Sequence, residues 1–97
     1  MIVERRTYHV KPFCQQEAAD FVMQVGEQIA FPHAYRVYIP IVGLGNVIYH
    51  ELEFENFEER QAFWADFFAR PEMHGWIKKW EELIESGFSN ELLRPVE

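Results

Sequence analysis

Residues 46–60, NVIYHELEFENFEER, pass from strand chemistry to helix chemistry with no loop between them. From Val47 to Glu55 the run is rich in β-branched and aromatic residues, which suit a pleated, half-buried ladder. Asn56 then reads as a helix N-cap, and Glu59, three residues on, is placed to close a capping box. Glu58 and Glu59 also sit favourably at the positive end of the helix dipole. The segment therefore commits the chain to a helix that leaves directly from a sheet, and it sets one histidine, His50, inside the strand.

The remaining elements fall into place around it. Ile2 to Val10 is a strand with Ile2, Glu4, Arg6, Tyr8 and Val10 on one side and Val3, Arg5, Thr7 and His9 on the other. From about Phe13 to Ile29, apolar residues at Ala18, Phe21, Val22, Val25 and Ile29 follow helical spacing; Gly26 weakens the last turn and Pro32 forbids continuation. Tyr35 to Val42 is a second strand, and Pro40 within it predicts a sheet edge or a bulge. Gly43-Leu44-Gly45-Asn46 is hairpin turn chemistry. The helical region from Phe57 to Glu85 is broken near Pro71, with Gly87 as its C-terminal cap. Phe88 to Pro95 is a short last strand.

The order β-α-β-β-α-β is the ferredoxin-like, α+β pattern, with a four-stranded antiparallel sheet in the order 4-1-3-2 and helices on one face. Such a sheet leaves its other face needing cover, so a second copy packed face to face is expected. Val3, Thr7, Ile48, Leu52 and Phe54 are candidates for one buried face.

Ninety-seven residues suit one domain spanning 1–97, and a 48% hydrophobic composition supports a packed core. The 16% aromatic content is heavy for so small a unit, and predicts that some aromatic area is covered by a partner or a ligand. A formal charge of −7 disfavours nucleic acid and anionic membranes as partners. The lone Cys14, the lack of a long apolar run and a start directly in strand chemistry lead to the expectation of a cytoplasmic protein.

The opening Met1-Ile2-Val3-Glu4-Arg5-Arg6-Thr7-Tyr8 followed by Lys11-Pro12 is similar to the first strand of the NIPSNAP family, I-x-E-x-R-T-Y-x-x-K-P. Asn46, Ile48, His50, Phe54, Glu59 and Arg60 match its N-x-V-x-H-x-W-x-Y-x-S-L-x-E-R pattern, Pro71-Glu72 its helix break, and Leu92-Leu93-Arg94-Pro95 its closing strand. The chain departs from the pattern at Leu52, where the family has Trp, at Arg70, where it has an Asp cap, at Gly75, and in a shortened Phe31–Ala34 stretch. The resemblance implies a homodimeric α/β barrel with a cleft between helices and sheet. Fold relatives implied by the superfamily include cofactor-independent monooxygenases, haem-degrading enzymes and lactone isomerases, and fold alone does not choose among them.

His50 is the sharpest candidate for chemistry. A buried imidazole can serve as a general base, a proton shuttle or a haem ligand, or as a core histidine bonded to a polar group on the next strand. Arg6 and Tyr8, beside Glu4, can orient an anionic or phenolic ligand, or form a salt bridge and a hydrogen bond near a dimer seam. Trp64 and Trp80, with Phe67, Phe68 and Trp76, can wall a pocket for a flat hydrophobic ligand, or simply pack helix on sheet. Glu51 and Glu53 share a side of their strand and can be metal ligands or acid/base groups, but are expected to be solvated or to pair with Arg5 or Arg6. No metal-ligand spacing, phosphate-binding loop or other cofactor signature is present in the sequence. Three roles stay open: binding of a small hydrophobic or aromatic ligand; a cofactor-independent monooxygenase or isomerase with His50 as base; and an interaction module using aromatic surface on the helices.

Overall fold

The sheet is built on β1 (Ile2–Val10), which pairs antiparallel with β3 (Val47–Phe54) on one side and β4 (Ile84–Leu93) on the other; β2 (Tyr35–Tyr38) adds to β3, giving the order β2-β3-β1-β4. A computed structural model of the chain describes residues 1–43 and 45–96, so Leu44 of the expected 43–46 turn lies outside the described residues. Three helices, α1 (Gln15–Gln28), α2 (Phe57–Phe68) and α3 (Met73–Leu83), complete an α+β fold with an antiparallel sheet.

The β1–β3 register decides which residues share a face. Glu4 lies opposite Leu52, Arg6 opposite His50 and Tyr8 opposite Ile48, so all six look towards the helices. Val3 and Thr7 pair with Glu53 and Tyr49 on the outer face. Grouping Val3 and Thr7 with Ile48, Leu52 and Phe54 therefore fails: with a period of two, the pairing sets odd positions of β1 beside odd positions of β3. The core under the helices joins Tyr8, Val10 and Ile48 of the sheet to Ala18 and Val22 of α1 and Leu83 of α3.

Two strand ends differ from expectation. β2 stops at Tyr38, two residues before Pro40, because a proline without an N–H ends the ladder more readily than it joins one. β4 starts at Ile84, immediately after the last residue of α3, so Gly87 is not a helix cap. Tyr8 pairs with Phe88 but Val10 pairs with Ile84, leaving residues 85–87 opposite His9 alone. Gly87 takes φ +92° in this bulge, a conformation that costs glycine little.

α2 is capped as its sequence dictates. The Asn56 side-chain oxygen accepts from the Glu59 N–H at 2.8 Å, and the Glu59 carboxylate accepts from the Glu55 N–H at 2.9 Å, one residue earlier than in the usual box. His33 Nε2 lies 2.9 Å from the same carboxylate, and these bonds hold the Glu59 carboxyl below its ordinary pKa. No residue of α2 is fully buried; the helix meets the sheet through Phe63 on Phe54 and through Arg60 and Trp64 on Glu4. The chain then breaks around Pro71 and restarts as α3.

Candidate functional site

The space between helices and sheet is a cavity of about 200 Å³. Its floor is Arg6, Tyr8, His50, Leu52 and Phe88, and its walls include Trp64 and Phe67 of α2 and Trp76 and Trp80 of α3. Phe68 and Ile77 line it while remaining 62% and 47% exposed, which places them at its mouth. Leu52, fully buried, forms part of that floor.

His50 is 4% exposed. Its Nδ1 is 2.9 Å from the Tyr8 hydroxyl, and its Nε2 is buried with no partner. Burial, and secondarily the Arg6 charge, lowers its pKa to about 3, so the ring is neutral. Burial also pushes the Tyr8 phenol well above its ordinary value, so the phenol keeps its proton. With Tyr8 O–H donating to Nδ1, the imidazole proton belongs on Nε2 and a single N–H is left without an acceptor. The other tautomer would strand both the phenol donor and an Nε2 acceptor, at greater cost. The Tyr35 ring packs edge-on against His50 with centroids 4.5 Å apart, and Trp80 packs edge-on against Tyr8 at 4.6 Å.

Arg6 is held by its faces. Its guanidinium carbon is 4.4 Å from the Trp64 ring centroid and 4.2 Å from that of Phe88, a cation–π sandwich. Glu4 is completely buried; its Oε1 accepts from Arg60 Nε at 2.7 Å and from the Trp64 indole N–H at 2.8 Å. Arg6 Nη1 approaches the other oxygen, Oε2, only to 3.7 Å, and Arg6 Nε is buried without a partner.

The structure thus brings His50, Arg6, Tyr8, Trp64 and Trp80, together with Phe67, Phe68 and Trp76, to the lining of one cavity. The Glu4–Arg6 pair faces the helices and not the outer sheet face where a dimer seam was expected. Glu53 pairs with Arg36 at 3.3 Å and with neither Arg5 nor Arg6, while Arg5 lies over the Tyr49 ring at 4.7 Å. Sequence reasoning missed Tyr35, Phe88 and the Arg60 clamp on Glu4. Gly26 carried a signal for Tyr35, because a Cβ there would stand 2.5 Å from the tyrosine ring. Among the described residues no group of three or more His, Cys, Asp or Glu side chains could hold a metal ion, and no helix is long and apolar enough to cross a membrane.

The whole chain has close structural likenesses. A crystallised protein from Agrobacterium tumefaciens is 25% identical, with a TM-score of 0.84 over 99% of this chain and 94% of that one. An uncharacterised NIPSNAP-like domain protein from Burkholderia xenovorans is 26% identical, with a TM-score of 0.84 over 98% of this chain and 84% of that one. An antibiotic biosynthesis monooxygenase, 12% identical, shares the fold with a TM-score of 0.70 over 100% of both chains. No curated protein matches the chain. The family model described as NIPSNAP matches residues 3–97, and the chain belongs to the NIPSNAP family.

Proposed function

We propose that this chain is a binding protein for a small hydrophobic or aromatic molecule held between the helices and the sheet. The observation that carries this reading is the unpaired Nε2 of His50, buried at the floor of a cavity whose walls are almost entirely aromatic and aliphatic. An orphaned buried donor costs about 1–3 kcal/mol, and a ligand oxygen would recover it. Apolar surroundings with a few convergent polar groups are the usual composition of a ligand pocket. A general-base role draws less support, because a buried imidazole with a pKa of about 3 and Nδ1 already engaged is a weak proton acceptor.

All three tryptophans of the chain line the cavity, so its occupancy is readable in their emission. Titration with the neutral hydrophobic probe N-phenyl-1-naphthylamine is expected to quench tryptophan emission saturably and to raise the melting temperature. A flat titration together with an unchanged melting temperature would remove the binding reading.

We also propose a homodimer in which the outer sheet faces of two copies meet. The helices cover only the Tyr8–His50 side, and Arg5 Nε on the outer face is buried without a partner. Light scattering at micromolar concentration is expected to give twice the 11.6 kDa chain mass; a monomer mass would overturn the arrangement.

A further inference from the structure

We infer that the ligand is an anion of one kind: an apolar acid whose single carboxylate is received by the edge of the Arg6 guanidinium, with His50 Nε2–H as a second donor. The inference rests on the cavity being a ligand site, and it adds the chemical class of what enters.

Charge counting at the floor supports it. Arg6 and Arg60 are two cations sharing one carboxylate, Glu4, and the carboxylate is committed to Arg60 and Trp64 through Oε1. At 3.7 Å from Oε2, Arg6 is beyond hydrogen-bonding distance, and among the described residues no other carboxylate lies within salt-bridge reach of it. His50 and Tyr8 are neutral. One positive charge is therefore left in excess on a side chain only 11% exposed, although the chain as a whole carries −7. Desolvated charge of this kind is expensive unless paired.

Geometry specifies how the anion is held. With Trp64 and Phe88 against it, the guanidinium donates in its own plane, along its edge; its Nε is buried without a partner, and the side chain lines the cavity. A carboxylate matches that edge with two parallel bonds. His50 sits directly across the ladder from Arg6, so both donors rise from neighbouring points of the floor. A single excess charge within aromatic walls suits a monoanion with an apolar body and not a phosphate dianion.

The test is calorimetric titration with three matched pairs: benzoate and benzamide, 2-naphthoate and 2-naphthamide, octanoate and octanamide. For the pairs that bind, the acid is expected to bind about tenfold or more tightly than its amide. In Arg6→Gln the preference for acid over amide should disappear, and Arg6→Lys should keep part of it. If acids and amides bind alike, or amides bind better, the anion assignment is overturned while the cavity still binds ligands. If none of the six compounds binds, the binding role itself falls. Should Arg6→Gln fail to fold, the comparison of acids with amides on the unmodified chain still decides.

Discussion

Arg6 and His50 stand directly opposite each other across the β1–β3 ladder, a permanent cation beside an imidazole that burial keeps neutral. Protonating His50 would set two positive charges side by side out of water, and this has a consequence for acid stability. The folded pKa, about 3, lies below the unfolded value of 6.5, so between these limits the unfolded chain binds the extra proton. Stability from this group is complete above about pH 6.5 and is lost as pH falls towards 3, with a slope of up to about 1.4 kcal/mol per pH unit. Urea titrations across that window should show a shallower slope in His50→Gln than in the parent chain.

Among the described residues Glu4 is the only carboxylate within reach of Arg6, and it is the partner of both Arg60 and the Trp64 indole. Glu4→Ala is expected to cost about 3–5 kcal/mol in chemical denaturation, since it leaves the largely buried Arg60 guanidinium without its charge partner. Glu4→Gln, which keeps an acceptor for Arg60 and Trp64, should cost less than Glu4→Ala.

Gly26→Ala would ordinarily favour a helix by about 1 kcal/mol. Here the new Cβ would stand 2.5 Å from the Tyr35 ring, whose hydroxyl donates to the Val22 carbonyl at 2.7 Å and fixes the ring in place. Net destabilisation of about 1–3 kcal/mol is expected, by thermal or urea melting. In a Tyr35→Ala background the same change should become neutral or stabilising.

Asn56→Ala removes the side-chain acceptor for the Glu59 N–H at the start of α2. A loss of about 1 kcal/mol is expected. Because no residue of α2 is buried, amide exchange in its first turn should rise more than exchange in α1.

Much of this was legible in the chain because local chemistry acted alone. The Asn56 cap, the break near Pro71 and the strands of 2–10 and 47–54 depend on near neighbours and period-two alternation. Residues 84–87 read as the end of a helix because Gly87 is a common cap, yet tertiary pairing with β1 drew them into β4. Pro40 reads as a strand residue because Ile39, Ile41 and Val42 prolong the apolar run, whereas the ladder ends at Tyr38. The site residues stood out by type, but their convergence depends on the β1–β3 register and on an unburied α2, neither of which spacing along the chain encodes.

The direct passage of α3 into β4 has a bearing on how a molecule gets in. With Leu83 followed at once by Ile84, α3 cannot swing outward without pulling on a strand paired to β1 from Val3 to Val10. α2 has no such covalent tie to a strand: it buries no residue, and it meets the rest of the fold through Arg60 and Trp64 bound to Glu4, Phe63 against Phe54 and Phe67 stacked on Trp76. If the cavity takes a ligand as proposed, entry past α2 is expected, and Glu4, which holds Arg60 and Trp64, would then have to release them for α2 to lift.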